Sequence, residues 1–251
     1  MKTFKDYTRE ELLSRKIGPE TSKSFEEKLN SGFWHKYASG ENIIEMGYDG
    51  GLGCVPFLPN ATGIDKNYPG YDGINLPFLA DQSQDTVYAS HVYEHIADWK
   101  SALQEWYRVL KVGGYLIIAI PHVWLYEKKP DLPSKYNLDH KRFYAPRDLL
   151  EEIWQALPHL GYRIKHLCDN DTGWDDGWKP NVQMFEQRTH LGEFAIEAGY
   201  VQAGPSGSMV VSAGEMNHSS GCYEIECVIE KTTIPVWTSL LFKNRKILGR
   251  G

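Results

Sequence analysis

Glu45, Gly47, Gly50 and Gly51 follow directly on an apolar run, and Asp65 stands twenty residues beyond Glu45. A strand that ends in an acid and turns through glycines brings its backbone close to a ligand, and the N–H groups after the turn point toward it. A second acid, at the end of the next strand, faces the same crevice and can accept both hydroxyls of a ribose. Taken alone, this pattern serves a structural turn as well as a nucleotide turn. His91, His95, His122 and His140 all follow strands or lie in loops at the expected carboxyl edge of a sheet. There an imidazole that titrates near neutrality can take a proton.

These residues need elements to position them. Residues 9–37 read as helical and charged, with Ser24 and Glu27 spaced as a capping box. Residues 42–46, 61–64, 86–90 and 115–120 read as strands, the last apolar on both faces as in a covered sheet. Asp98 can cap a helix to about Lys111, with Leu103, Trp106 and Leu110 on one face. Pro146 opens another, with Leu149, Leu150, Ile153, Trp154 and Leu157 toward the core. Strands at 162–168 and 222–230 complete an alternation that predicts an α/β fold with a mainly parallel sheet and helices on both faces. The expected organisation is an N-terminal helical segment, 1–40, and one domain, 41–251. Residues 169–221 break the alternation and read as an insertion for substrate recognition.

The chain has 251 residues, 41% apolar and 13% aromatic, enough for a packed core and unlike a disordered or disulfide-scaffold chain. Its 27 basic and 33 acidic side chains leave a net charge of −6, so no global basic field for nucleic acid is expected. The apolar run at 115–120 is too short to span a bilayer, and MKTFKDYTRE lacks the apolar core of a signal peptide. Cys54, Cys168, Cys222 and Cys227 form no C-x-x-C pair, which suggests neither a zinc site nor a disulfide framework. A reduced, cytoplasmic protein without a metal is the expectation. Asp169 and Asp171 have the first spacing of a calcium loop, but Gly173 and Trp174 break the pattern.

The run Asp72-Gly-Ile-Asn-Leu-Pro-Phe78, then DQSQDTVYASHVYEHIADW, then LQEWYRVLKVGGYLIIAIPH, resembles the class I S-adenosylmethionine-dependent methyltransferases. In that family the segments read like an acid followed by LPF, then FD-x-V-x-x-x-x-V-L-E-H, then E-x-x-R-V-L-K-P-G-G and a strand. The match covers about residues 41–122. It implies a seven-stranded, doubly wound, Rossmann-like sheet whose last two strands are an antiparallel pair, and S-adenosyl-L-methionine as cofactor. It implies that Glu45, Gly47 and Gly51 surround the methionine part, Asp65 holds the ribose hydroxyls, and Asp72 lies beside the adenine. Ser90 and His91 would border the methyl group. The chain departs from the family pattern with Asp49 in place of the central glycine, and Pro56 and Pro59 leave room for only a short first helix. Only six residues separate Asp65 from Asp72, so the usual second helix is missing or vestigial. A similarly compact form occurs among methyltransferases of surface-polysaccharide synthesis, which directs the acceptor expectation to a sugar or glycan precursor and the reaction to O-methylation.

A hydroxyl acceptor must lose its proton to be methylated, and a histidine is the natural base. His140, in LDHKRFYAP, lies in a segment that resembles the one closing over the site in many small-molecule methyltransferases, and leads the candidates. His95 and His122 follow. His95 would otherwise brace the next helix, and Arg142 and Tyr144 would fix the loop. Trp174 and Trp178, interleaved with Asp175 and Asp176, would stack on a sugar ring or simply pack a surface loop. Two rival readings stay open. One is a nicotinamide-dependent oxidoreductase, suggested by Gly51-Leu-Gly53 and the Tyr107/Lys111 spacing, with Pro56 against it. The other is a non-catalytic cofactor-binding protein.

Overall fold

The computed structural model describes residues 3–48, 50–134, 136–174 and 221–233, and the backbone alone at 201–203 and 209–211. The strands are β1 (Ile43–Met46), β2 (Ala61–Ile64), β3 (Gln84–Ser90), β4 (Leu110–Pro121), β5 (Tyr162–Asn170), β6 (Val201–Ala203), β7 (Met209–Val211) and β8 (Glu224–Lys231). Six of them form one sheet in the order β2-β1-β3-β4-β8-β5, while β6 and β7 pair antiparallel inside the expected insertion. The first four strands run parallel, and β8 is antiparallel to both β4 and β5. β5 therefore runs the same way as β4. Among the described residues the sheet has six strands where seven were expected. Between Ile64 and Gln84 the chain makes only turns, without the helix that a further parallel crossover usually needs.

The helices are α1 (Arg9–Leu13), α2 (Pro19–Asn30), α3 (Phe33–Tyr37), α4 (Trp99–Val109) and α5 (Pro146–Ala156). The expected helical stretch 9–37 is thus three helices. Pro19 restarts the chain after Gly18, and Gly32, at φ +77°, breaks it again. Ser24 consequently lies inside α2, where its hydroxyl accepts from Lys28 Nζ at 2.7 Å instead of capping a terminus. Asp98 caps α4 as expected, accepting the Ser101 amide at 3.2 Å. That helix ends at Val109 because β4 already begins at Leu110, earlier than the apolar run suggests. Trp154, expected on the buried side of α5, is 58% exposed.

Alternation along the strands divides the core between the two faces of the sheet. Ile44, Met46, Val87, Leu116, Ile118, Ile225 and Cys227 pack against Trp106 of α4 and Leu149 and Ile153 of α5. Ile43, Tyr88, Ile117 and Val228 pack against Phe25 and Leu29 of α2 and Phe33 and Trp34 beyond it. Residues 3–40 thus supply most of one layer, completed by Phe57 and Leu58. The register places Pro121 and Asn170 both opposite Glu224, so the carboxyl ends of β4 and β5 meet the start of β8 at one edge.

Candidate active site

Gly47 ends β1 in the left-handed region, at φ +67°, and a Cβ there would lie 2.1 Å from Val92 Cγ2. Only glycine fits this approach. Its N–H donates to the Ile64 carbonyl at 2.7 Å, joining the turn to the end of β2. The first helix expected after the turn shrinks to a single 3-10 turn, Gly50–Leu52. Gly51 within it has open space where a side chain would be. Asp49 lies outside the described residues.

Glu45 is buried beneath this loop, and its Oε2 accepts the Phe57 amide at 2.6 Å. Burial pushes its carboxyl up to about 8, against the Phe57 bond and the nearby Arg15. Glu45 therefore anchors the far end of the glycine loop from below. Asp65 is half-buried at the end of β2, where Oδ1 accepts the Lys66 amide at 2.7 Å and the other oxygen stays available. The narrow glycine turn and this carboxylate fit a ribose-bearing cofactor. Asp72 is exposed and caps its own loop, accepting the Ile74 amide at 2.9 Å and the Asn75 amide and side chain at 2.7 Å each. Those bonds, the Asn75 side chain first, hold its carboxyl down near 2.

The E-x-x-R pattern has a structural explanation. Glu105 and Arg108 lie one turn apart on α4 and clamp the same loop. Glu105 accepts the Leu76 amide at 2.7 Å, and Arg108 donates to the carbonyls of Leu76 and Leu79 at 3.0 Å each. The dehydrogenase-like pair is engaged elsewhere: Tyr107 donates to the Gly161 carbonyl at 2.6 Å and Lys111 to Asp85 at 2.7 Å.

Beyond β3 the candidate histidines converge on Glu94. Ser90 is buried, and His91 follows at φ 53°, a conformation rare for a side-chain-bearing residue. His91 Nε2 lies 3.2 Å from Glu224 and 3.9 Å from Glu20, and Nδ1 lies 3.8 Å from Glu94. Burial works against its charge, yet these carboxylates hold its pKa above the ordinary histidine value. His140 is buried, with Nδ1 2.5 Å from Glu127 and Nε2 3.9 Å from Glu94. His95 places Nε2 3.6 Å from Glu94 and Nδ1 3.3 Å from Asp139. The His95 and His140 rings meet edge to face at 4.9 Å.

His122 stands apart from this group. Its Nδ1 accepts the Trp124 amide at 3.0 Å, so in the neutral ring the proton sits on Nε2, 3.5 Å from Asp169. Burial lowers its pKa, which keeps that donor form. Arg142 bolts the His140 loop in place by donating to the carbonyls of Ile96 at 2.5 Å and Tyr93 at 2.7 Å. The Lys141 amide adds a bond to the Glu94 carbonyl at 2.9 Å.

Sequence reasoning overlooked the carboxylates. Glu127 closes an otherwise apolar and aromatic stretch, VWLYE, and a lone acid in such a run was the available signal. Glu20 and Glu224 come from α2 and β8, with nothing local to mark them. On the same edge Trp174 Nε1 donates to the Leu125 carbonyl at 3.2 Å and packs beside Tyr126, Tyr136 and Tyr223. Asp175, Asp176 and Trp178 lie outside the described residues.

The family model described as "Methyltransferase domain" matches residues 65–118. No curated protein matches the chain. Among solved structures, a SAM-dependent methyltransferase from Archaeoglobus fulgidus is 14% identical, with 86% of this chain and 95% of that one covered at a TM-score of 0.47. An S-adenosylmethionine-dependent methyltransferase from Mesorhizobium loti is 12% identical, with 85% and 100% covered at 0.44. The [4+2]-cyclase SpnF is also 12% identical, with 83% and 82% covered at 0.46. The matched residues run from the acid ending β2, through the Glu105–Arg108 clamp, into β4 of the sheet, so that residues 65–118 are similar to a methyltransferase domain.

Proposed function

We propose that this chain methylates a hydroxyl of a small, hydroxyl-rich acceptor, a sugar or glycan precursor, in a reducing compartment such as the cytoplasm. The observation that carries the reading is the cluster of His91, His95 and the buried His140 around the buried Glu94, close to the end of β3. When bound, S-adenosylmethionine supplies an electrophilic methyl group on a sulfonium. Gly47 and Gly51 let the backbone approach it, Asp65 accepts its ribose hydroxyls, and Ser90 and His91 border the reacting end. Glu45 and Asp72 serve by shaping the two loops that flank it.

Loss of the acceptor's proton depends on His140. Glu127 takes its Nδ1–H, which leaves the Nε2 lone pair facing into the cluster. His95 is the second candidate, and His122, held as a donor, is the third. His91, held toward its charged form by three carboxylates, suits charge balance better than proton abstraction. The four cysteines are free, in keeping with a reducing compartment.

Titration calorimetry with S-adenosylhomocysteine tests this reading. The wild-type chain should give saturable heat and a higher melting temperature, since a ligand of the folded state stabilises it. Asp65→Ala should weaken binding about 10- to 100-fold, the loss of charge-assisted bonds worth roughly 1.5–3 kcal/mol each. His140→Ala should bind normally yet turn over about 10²–10⁴-fold more slowly. No heat and no thermal shift in the wild type would overturn the function.

A further inference from the structure

Glu94 is 1% exposed, and among the described residues neither of its carboxylate oxygens has a hydrogen-bond partner. A buried carboxylate without bonds is costly, and natural structures seldom leave one so. What surrounds it is a set of imidazole nitrogens just beyond hydrogen-bonding reach. His95 Nε2 lies 3.6 Å from Glu94 Oε1 and His140 Nε2 lies 3.9 Å from it. One ligand atom from each of Glu94, His95 and His140 falls within 4.8 Å of the others.

We propose that Glu94, His95 and His140 bind a divalent transition metal ion, zinc in the first instance. Ligands at 2.0–2.2 Å around a tetrahedral ion lie about 3.3–3.6 Å apart, so the observed separations need to close by at most about 1.5 Å. The outer nitrogens support the assignment. His140 Nδ1 meets Glu127 at 2.5 Å, and His95 Nδ1 meets Asp139 at 3.3 Å. The His140 ring is therefore oriented by a carboxylate on Nδ1 and offers Nε2 inward, the arrangement that metal-binding histidines adopt, while His95 Nδ1 lies beside Asp139 without a hydrogen bond to it. Glu127 is itself fixed by Ser134 at 2.5 Å, and the second oxygen of Asp139 accepts from Lys141 at 3.0 Å. Two imidazoles and one carboxylate suit zinc or a similar ion better than magnesium or calcium, which take oxygen ligands. His95, 27% exposed, gives the ion a path from solvent.

The site deepens the proposed function and rests on it in one respect. Three protein ligands leave a fourth position open, where an acceptor hydroxyl can bind and become more acidic. His140 would then serve the proton loss by holding the ion. The ligands lie on a single 3-10 turn and on a loop 45 residues away, a spacing that local sequence reading does not register.

Cobalt(II) titrated into the metal-stripped full chain tests the assignment by its visible absorption, with S-adenosylhomocysteine affinity measured on the same sample. One equivalent should bind with the intense bands of a tetrahedral site. Glu94→Gln and His140→Ala should abolish those bands, and Glu127→Gln should weaken binding about 10- to 100-fold, with folding checked by circular dichroism. No cobalt bands in a chain that binds S-adenosylhomocysteine would overturn the metal site and leave the methyltransferase reading standing. Cobalt binding unchanged in the folded variants would overturn it equally. Cobalt binding lost in the variants, in a chain that ignores S-adenosylhomocysteine, would support the site and sink the function.

Discussion

At Glu45 a carboxylate does its work under a loop, out of contact with solvent. It holds the Phe57 amide and so sets where the glycine turn closes. Its burial has a consequence for stability. A carboxyl whose pKa is raised to about 8 on folding keeps its proton in the native state over a range where the unfolded chain has lost it. Stability from this group is therefore fully present below the ordinary glutamate pKa and is lost as pH rises toward and through 8. Glu45→Gln keeps an oxygen for the Phe57 amide but removes the titration. Melting temperatures measured from pH 5 to pH 9 should show the variant level with wild type at the acid end and above it at the alkaline end. Parallel curves across that range would mean that Glu45 is ionised throughout.

The element that best shows how position is achieved is α2. Phe25 and Leu29 enter the apolar layer over β1, β3, β4 and β8, and Lys28 comes in beside them. Its Nζ lies 2.5 Å from Glu226 and 3.8 Å from Glu224, all three groups being nearly inaccessible. Despite burial, Lys28 holds the Glu226 carboxyl down near 2. This ion pair fixes α2 against β8 and brings Glu20 to the carboxyl edge beside His91. Lys28→Ala would leave two buried carboxylates without their cation. Such a break costs about 3–5 kcal/mol, readable in urea unfolding, and adding Glu224→Gln and Glu226→Gln should restore part of it. A single variant within about 1 kcal/mol of wild type would show that water replaces the lysine.

Across the whole molecule the direction of β5 decides where recognition can occur. Because β5 is parallel to β4, the chain after Asn170 leaves from the same edge that gathers His91, Glu94 and His140. The first residues of the insertion stay there, with Trp174 against Tyr126, Tyr136 and Tyr223. Loops at the carboxyl edge of an open α/β sheet set specificity. Replacing residues 174–178 with a short Gly/Ser linker should leave S-adenosylhomocysteine affinity unchanged and abolish methyl transfer to whichever acceptor a radiolabelled screen finds for the wild type. Retained transfer would assign acceptor choice elsewhere. No helix among the described residues is long and apolar enough to cross a membrane.

Read alone, the sequence determined the parts of this protein that depend on neighbouring residues. The strand-turn-strand unit from Glu45 to Asp65, the capped α4, the Pro146 start of α5 and the absence of a helix between Asp65 and Asp72 all follow from local pattern and turn chemistry. It also put His91, His95, His122 and His140 at one expected edge, because each follows a strand or lies in a loop there. Tertiary structure decided the rest. Gly18, Pro19 and Gly32 split a helical stretch that charge pattern alone ran together. Glu45, expected beside the methionine part of a ligand, also holds the Phe57 amide beneath the loop, since which face a strand-end side chain meets depends on what packs there. Above all, the electrostatics of the site come from Glu20, Glu94, Glu127 and Glu224, which four separate segments deliver to the same few ångströms. Buried carboxylates act through distance and desolvation, and neither quantity exists until the sheet has brought those segments together.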